Sequence, residues 1–440
     1  MKENSAAEKI LAQSCAVLLE WEKEFVTLDE SLEQLRKKDF PYRSPVASLL
    51  FEYFHHKVFV DDLIRTFARK GIRQEVRILL ACALSSCLFQ SGIAQQSCVN
   101  VAVELAKKRF GKGCGNFVNA LLRSVLRSET LHNIPSSCFP EDLKKHFIAG
   151  FGEEQTGKLL QIFAQSNIPV TFRARKEIPE NACVYQRLPA LDFMKEIPFY
   201  RVVDPKTFFT LDLLKEGSVY VQDPATMLAL SLLDGPPSGK VLDICAAPGG
   251  KSILLWDLAQ KGGSAITLHV CDRSPARLKT LKENLERYQI PAESFAVSAQ
   301  KNTFRENSFD LILADVPCGN SGVIRRRCDV PYRYSPKRLR DTAALQREIL
   351  NALAPLTAPG GYLLYSTCSI ENLEDEEQIR TFLEEPGEYT LIRQRKLFPD
   401  NEYDGAFGAL LQKERGMIHE TAAVLPPPDC ARPASRPLPG

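Results

Sequence analysis

Thirteen of the 440 residues are cysteine, and two of them have neighbours that suit covalent chemistry. Cys318 ends the run SFDLILADVPC, with Asp315 three residues ahead of it, and Cys368 ends GGYLLYSTC. Both runs read as buried parallel strands. Each thiol therefore falls just beyond a carboxyl-terminal strand end, the edge where open α/β sheets bind ligands. A thiolate is nucleophilic, and a second group beside it can assist its departure. Such a pair fits cytosine. Its C5 is a poor nucleophile until a thiolate adds to C6, which makes C5 enamine-like and able to attack the methyl of a sulfonium donor. The C5 proton must then leave and the thiolate be expelled, with a neighbouring group assisting, while Asp315 hydrogen-bonds the N3/N4 edge. Each cysteine taken singly could instead be a buried strand-end residue, and neighbouring thiols could form a redox pair. The basic, aromatic stretch after Cys318 gives a redox pair no rationale.

That stretch, from Arg325 to Arg340, holds Arg325, Arg326, Arg327, Arg333, Lys337, Arg338 and Arg340 interleaved with Tyr332 and Tyr334. The composition suits gripping phosphates while stacking on bases, although a solvated basic face would look the same. Net charge over the whole chain is only +2, so nucleic-acid binding would rest on such local clusters. The other cysteines suggest no chemistry. No CxxC occurs, which leaves a zinc ribbon or thioredoxin-like motif unsupported, and no metal is expected. Cys82, Cys87, Cys98, Cys245 and Cys271 lie in apolar contexts and read as small buried hydrophobes.

A third chemical feature is the turn in VLDICAAPGGKS, residues 241–252. A Gly-rich turn that opens a helix lets backbone N–H groups approach a ligand closely. The segment Cys245 to Ser252 resembles a phosphate-binding loop but has Cys245 where the first glycine is required, which counts against a nucleoside triphosphate. It also lacks GxGxxG, which counts against a dinucleotide. A nucleoside cofactor wants an acid about 20 residues on to hold the ribose hydroxyls, and Asp272 lies 22 residues beyond Gly250.

These groups need a sheet to hold them, and the chain supplies one. Hydrophobic content of 44% and charged content of 25% are those of a soluble globular protein. No run approaches the ~18–20 apolar residues of a membrane helix, and the N-terminus lacks the basic start and cleavage site of a secretion signal. A cytoplasmic protein with no membrane partner is expected, where disulfides would not persist. Residues 1–130 read as an all-helical domain, from apolar residues at helical spacing. Residues 131–235 are broken by prolines and read as a linker with a small α+β subdomain, in which CFPEDLKKHFIAGFGEEQTGKLLQIFAQSN forms two short helices and IPVTFRAR is extended. Strands and helices alternate over 236–415, as in a doubly wound, mostly parallel sheet, with Ser274 and Pro275 opening one helix. The Pro-rich residues 416–440 read as a disordered tail.

The stretches VQDPAT (221–226), VLDICAAPGGKS, ADVPCGNSGVIRRR (314–327), GGYLLYSTCSIENLEDE (360–376) and DGAFGALLQK (404–413) resemble the RsmB/Sun branch of the RNA cytosine-5 methyltransferases. VNVAVELAKKR (99–109) and FVNALLRSVLR (117–127) are similar to the NusB-like RNA-binding domain that distinguishes that branch. The resemblance implies a Rossmann-like methyltransferase domain using S-adenosylmethionine, with Cys368 as nucleophile and Cys318 helping product release. It places cofactor contacts on Cys245, Ala246, Ala247, Pro248, Gly249, Gly250, Lys251, Asp272 and Asp315 and leaves Phe407 as a substrate-side aromatic, while substrate contacts on Arg325, Arg326 and Arg327 rest on the basic composition of their stretch. It implies 16S ribosomal RNA as substrate and a monomer, the alternative being the same chemistry on another structured RNA such as tRNA. A non-catalytic RNA-binding assembly factor would keep the fold without needing Cys318, Cys368 and Asp315. There are three departures from the family pattern: Ser298 and Gln300 stand where an acid near the adenine is common, Arg175 replaces an Asn, and DGAFGALL loosens a DGFF stretch. The chain is expected to bind S-adenosylmethionine and not ATP in calorimetric titration; ATP binding alone would restore the phosphate-loop reading.

Overall fold

Apolar residues recurring every three to four positions coil the first part of the chain into α1 (Ala6–Glu24), α2 (Leu28–Lys37), α3 (Arg43–His55), α4 (Lys57–Phe67), α5 (Gln74–Phe89), α6 (Gln95–Phe110) and α7 (Lys112–Leu126). The computed structural model describes residues 6–24, 26–68, 71–90, 94–129, 131, 139–165, 168–194, 197–384 and 388–415, so the Pro-rich stretch 416–440 lies outside the described residues. A capping box starts α2: Thr27 Oγ1 accepts the Glu30 N–H and Glu30 accepts the Thr27 N–H. Nearly all of α5 from Val76 to Cys87 is buried, because α1, α3, α4, α6 and α7 surround it.

The middle of the chain follows as α8 (Glu141–Phe163), β1 (Thr171–Ala174), β2 (Tyr185–Arg187), β3 (Phe199–Val202), α9 (Pro205–Phe208) and β4 (Val219–Val221). Gly152, at φ 78°, breaks α8 into two short helices. The strands form an antiparallel sheet in the order β2-β3-β1-β4 around Phe172, Tyr185, Phe208 and Val219. One part of this segment belongs elsewhere. Ala225, Met227 and α10 (Leu228–Ser231) pack into the core of the next domain. A four-residue helix is too short for periodicity to reveal which face it buries.

The remaining elements are β5 (Gly239–Asp243), α11 (Gly250–Lys261), β6 (Ile266–Cys271), α12 (Pro275–Arg287), β7 (Glu293–Phe295), β8 (Phe309–Asp315), α13 (Val330–Arg333), α14 (Pro336–Leu353), β9 (Thr357–Thr367), α15 (Glu376–Glu384), β10 (Tyr389–Leu397) and β11 (Ala406–Lys413). They build a seven-stranded sheet in the order β10-β11-β9-β8-β5-β6-β7, parallel from β9 to β7, with β11 antiparallel to both its neighbours. Side chains alternate across it. Val241, Leu311 and Leu313 meet α11 and α12 on one face, while Leu242, Ile312 and Ala314 meet α14 and α15 on the other. Ser274 Oγ caps α12 and Pro275 is its first residue, as expected. The whole is a Rossmann-like, mostly parallel α/β domain behind a helical one. Among the described residues no helix is long and apolar enough to cross a membrane, and no group of three or more His, Cys, Asp or Glu could hold a metal.

The basic loop that follows β8 plugs into the helical domain. Cys328 is buried in the helical core with Tyr332 packed beside it, and Asp329, 3% exposed, accepts from Trp21 Nε1 (3.2 Å), the Leu28 N–H (3.2 Å) and Arg333 Nη1 (3.1 Å). Removing one partner of a buried charged cluster leaves the others unsatisfied, at a cost of about 3 kcal/mol. Asp329→Ala is therefore expected to separate unfolding of the helical domain from that of the α/β domain in urea. A single transition at the wild-type midpoint would contradict this joint.

Candidate active site

The turn after β5 is set by backbone geometry. Gly249 takes φ 109°, which favours glycine, and a Cβ there would lie 2.8 Å from Leu281 Cδ1. The Ala247–Pro248 bond is cis. Side chains of α12 tie the turn down from outside: Arg277 Nη2 donates to Ala247 O (2.5 Å) and Asn284 Nδ2 to Pro248 O (2.8 Å). Ala246 N donates to Cys271 O (2.9 Å), joining the turn to the end of β6. Burial pushes the Cys245 thiol up to about 12, so this cysteine behaves as a small hydrophobe.

Carboxylates surround the turn. Asp272 is buried, accepts the Ser274 N–H (2.8 Å) and lies 3.5 Å from Arg277 Nη1. Asp243 accepts from Ser252 Oγ (2.6 Å), and its Oδ1 has no partner among the described residues. Burial raises Asp243 to about 7, with the charges of Asp315 and Asp272 adding to the rise. Lys251 Nζ is committed to Asp315 Oδ2 at 2.8 Å. Burial works against the Lys251 ammonium, but Asp315 and Cys368 outweigh it and hold its proton. Three acids and one engaged lysine form a poor cradle for a triphosphate. They fit a cofactor that offers ribose hydroxyls as donors and a cationic sulfur, so the residues present suit S-adenosylmethionine.

The two thiols meet across the ends of β8 and β9. Cys318 Sγ lies 3.2 Å from Cys368 Sγ, and Cys368 Sγ lies 3.1 Å from Asn320 Oδ1. The strand register pairs Asp315 with Ser366, and beyond it Val316 N donates to Ser366 O (3.1 Å) and Gly322 N to Cys368 O (3.0 Å). Ser321 Oγ reaches Ser369 Oγ (3.0 Å) and accepts the Ile370 N–H (3.0 Å). The loops are so close that a Cβ on Gly322 would lie 2.8 Å from Cys368 O and 2.7 Å from Gly405 O. Sequence spacing alone had placed both thiols at strand ends; the packed loops bring them into contact.

The contact divides the labour electrostatically. The hydrogen bond from Cys318 lowers the pKa of Cys368; burial opposes it, and the positive charges of Arg327 and Lys251 help. The same hydrogen bond, followed by burial, raises Cys318 well above the ordinary thiol range. Cys368 is the group disposed to be a thiolate and Cys318 the one that keeps its proton.

Other expected contacts fall differently. Phe407 is 1% exposed, lies within β11 opposite Thr367 and stands edge-on to Tyr365 in the core, so it faces no substrate. Arg325 is also buried, its guanidinium donating to Tyr403 O (2.9 Å) and Asp404 Oδ1 (3.2 Å), so it binds the loop before β11 and not RNA. Arg326 is divided between Asp404 (2.5 Å) and Asp223 (2.9 Å). Arg327 keeps 41% of its side chain exposed and pairs with Asp29 at 3.4 Å. Tyr332 packs near Phe54, and Tyr334 stacks on His146. Arg175, read as a replaced asparagine in an RNA-binding subdomain, instead pairs with Asp257 at 2.7 Å. Runs of positive charge carry no mark of acids 50 or more residues away, which is why these look like free phosphate clamps in the sequence. Asn320, Asp404 and Asp223 were missed for the same reason, though GNSG and DGAFG are turn-like stretches in which Asn and Asp are expected to matter.

A parallel sheet with paired thiols and an acid-lined glycine turn at its carboxyl edge defines a Rossmann-like methyltransferase domain. Comparison with known proteins extends this. Residues 230–412 match the family described as 16S rRNA methyltransferase RsmB/F, and residues 8–127 match the NusB family. The chain is 31% identical over 410 residues to ribosomal RNA small subunit methyltransferase B of Vibrio cholerae, covering 88% of this chain and 92% of that one. It is 30% identical over 372 residues to the Bacillus subtilis protein named "Probable ribosomal RNA small subunit methyltransferase B", covering 78% and 80%. The crystal structure of PH0851 shares the fold, with a TM-score of 0.74 at 23% identity over 94% of this chain and 100% of that one. The chain belongs to the RsmB/F family of 16S rRNA methyltransferases, in the Sun type that carries a NusB domain at its N-terminus.

Because Arg327 lowers the Cys368 pKa, Arg327→Gln is expected to move the pH profile of Cys368 alkylation by iodoacetamide to higher pH. Peptide mass spectrometry resolves this site from the other cysteines, and an unmoved profile would remove Arg327 from the thiol's electrostatics.

Proposed function

We propose that this protein transfers a methyl group from S-adenosylmethionine to C5 of a cytosine in 16S ribosomal RNA, through a covalent bond between Cys368 Sγ and C6 of the base. The observation that carries the reading is the 3.2 Å contact between two thiols of opposite protonation preference. A nucleophile and its proton-handling partner require that asymmetry, and the acid-lined glycine turn beside the thiols suits a methyl donor, for which a redox pair has no use. The helical residues 1–130 and the segment 131–235, apart from its last residues that pack into the α/β core, serve to bind RNA, and 236–415 carry the chemistry. The cofactor is held by Cys245 to Lys251 with Asp272 and Asp315. The protein acts as a monomer in the cytoplasm.

The steps follow from the residues. The Cys368 thiolate bonds to C6, and the electron pair of the C5–C6 double bond moves onto C5 and toward the N3 edge. Asp315 accepts the N4 amino hydrogen at that edge and orients the base, and the Lys251 ammonium paired with it at 2.8 Å offsets the negative charge that develops on the ring. S-adenosylmethionine, held by Cys245 to Lys251 with Asp272 and Asp315, would supply an electrophilic methyl to C5, its cationic sulfur leaving as the neutral thioether. Once Cys368 is bonded to carbon, its negative charge is gone, and with it the foremost cause of the raised Cys318 pKa. Cys318 then gives up its proton and accepts the one at C5. The electrons of the broken C5–H bond re-form the double bond and expel the Cys368 thiolate, which again faces the Cys318 S–H. One proton is released overall.

Cys368→Ala is expected to abolish methyl transfer and leave cofactor binding intact, whereas Cys318→Ala accumulates a protein–RNA adduct as a slower gel band. Retained turnover in the first, or no adduct in the second beside an active wild-type control, would sink the assignment. Bisulfite sequencing of cells with and without the protein separates 16S ribosomal RNA from tRNA as the substrate.

A further inference from the structure

Gln346 and Glu374 are both buried to 0% exposure and stand outside the two thiol loops, yet they hold both peptide groups that flank Cys318. Gln346 Nε2 donates to Pro317 O at 3.0 Å and to Glu374 Oε1 at 3.3 Å, and the same Oε1 accepts the Gly319 N–H at 2.7 Å. Each member is itself anchored. Gln378 Nε2 donates to Gln346 Oε1 (3.4 Å) and Ala343 O (2.5 Å), and the Tyr365 hydroxyl on β9 donates to Glu374 O (2.7 Å). The result is a polar brace between α14, the segment before α15 and β9, closed on the loop that carries the second thiol.

A carboxylate in this position is costly to bury. Burial raises Glu374 to about 7. Its Oε2 has no partner among the described residues and lies 3.0 Å from where a Cβ on Gly319 would sit. What the acid supplies is an acceptor for the Gly319 N–H, in line with a donor for Pro317 O.

We propose that Glu374, bridged by Gln346, is a positioning residue for Cys318. By fixing the peptides on either side of Cys318 it keeps that thiol against Cys368 Sγ and, in the reaction, within reach of the C5 proton. The inference rests on the covalent reading above and names a residue through which Cys318 acts.

The test compares the full-length Glu374→Ala and Glu374→Gln proteins with wild type and Cys318→Ala. Glu374→Ala is expected to bind RNA with unchanged KM, to lose turnover by about 100-fold, the cost of a ~1 Å misplacement of a reacting group, and to accumulate the covalent adduct as Cys318→Ala does. Glu374→Gln keeps the acceptor for Gly319 N–H and is expected to restore most of the turnover. Normal turnover in Glu374→Ala overturns the proposal. So does lost turnover without adduct while Cys318→Ala accumulates it. If Cys318→Ala itself gives no adduct, the covalent reading has failed, and positioning is judged by a readout independent of it: the rate at which diamide oxidises Cys318 and Cys368 to a disulfide, followed by peptide mass spectrometry. That rate is expected to fall about tenfold in Glu374→Ala, since the reaction needs the two sulfurs aligned, and equal rates overturn the proposal. Should Glu374→Ala fail to fold, Gln346→Leu removes the bonds to Pro317 O and Glu374 but leaves the Gly319 N–H bond to Glu374, and is expected to show the same pattern in weaker form; wild-type behaviour there overturns it.

Discussion

Two sulfur atoms rest 3.2 Å apart at the carboxyl edge of this sheet, and the protein around them is arranged to keep them there. The separation is set by backbone. The parallel register of β8 and β9 aligns Asp315 with Ser366, and the loops that leave the strands are then stitched through Gly322, Ser321 and Ser369. The contact also creates chemical inequality from two identical side chains. A single shared proton cannot serve both sulfurs, so one thiol is pushed up and the other down, with Arg327 and Lys251 adding to the lowering of Cys368 and Asp315 opposing it. On the proposed mechanism that inequality is consumed in the first step and restored in the last.

The same constraint explains the demands placed on more distant parts of the chain. Arg325 is buried and Arg326 partly exposed, and both are committed to acids: together they hold Asp404 and Asp223, and through them the loop before β11 and the start of the segment that packs under the sheet. Asp404 N also donates to Asp223 Oδ1 at 3.0 Å, closing that network. Gly405 N in turn donates to Gly322 O, so these arginines bear on the thiol loops. Beyond Arg327 the chain enters the helical domain, where Asp329 meets Trp21 and the first turn of α2. The NusB domain is thus joined to the α/β domain by the very loop that leaves the active site.

Much of this was legible in the sequence, and the reasons are physical. Parallel strands buried on both faces are continuous apolar runs, so β5, β8 and β9 stood out with their ends, and with them Cys318, Cys368 and the glycine turn. The Ser274–Pro275 helix start was equally plain, because capping is written in adjacent residues. What could not be read were interactions between residues far apart in the chain. Arg325 looks like its neighbour Arg327 until Asp404, 79 residues on, is found to bury it. Phe407 lies in β11, a strand buried on both faces along nearly its whole length, so no position within it from Ala406 to Leu411 meets solvent. The short helix α10 has no periodicity to place it, and only its packing shows that it belongs to the α/β core.

The central claim is that Cys368 and not Cys318 bonds to the base. RNA carrying 5-fluorocytosine cannot release a proton at C5, so the enzyme should stop at the methylated adduct. Digesting that complex with nuclease and protease and sequencing the modified peptide by mass spectrometry locates the bond. The account predicts a methylated fluoropyrimidine nucleotide on the peptide containing Cys368. The same nucleotide on the Cys318 peptide, or methyl transfer with no bond to either thiol, would contradict it.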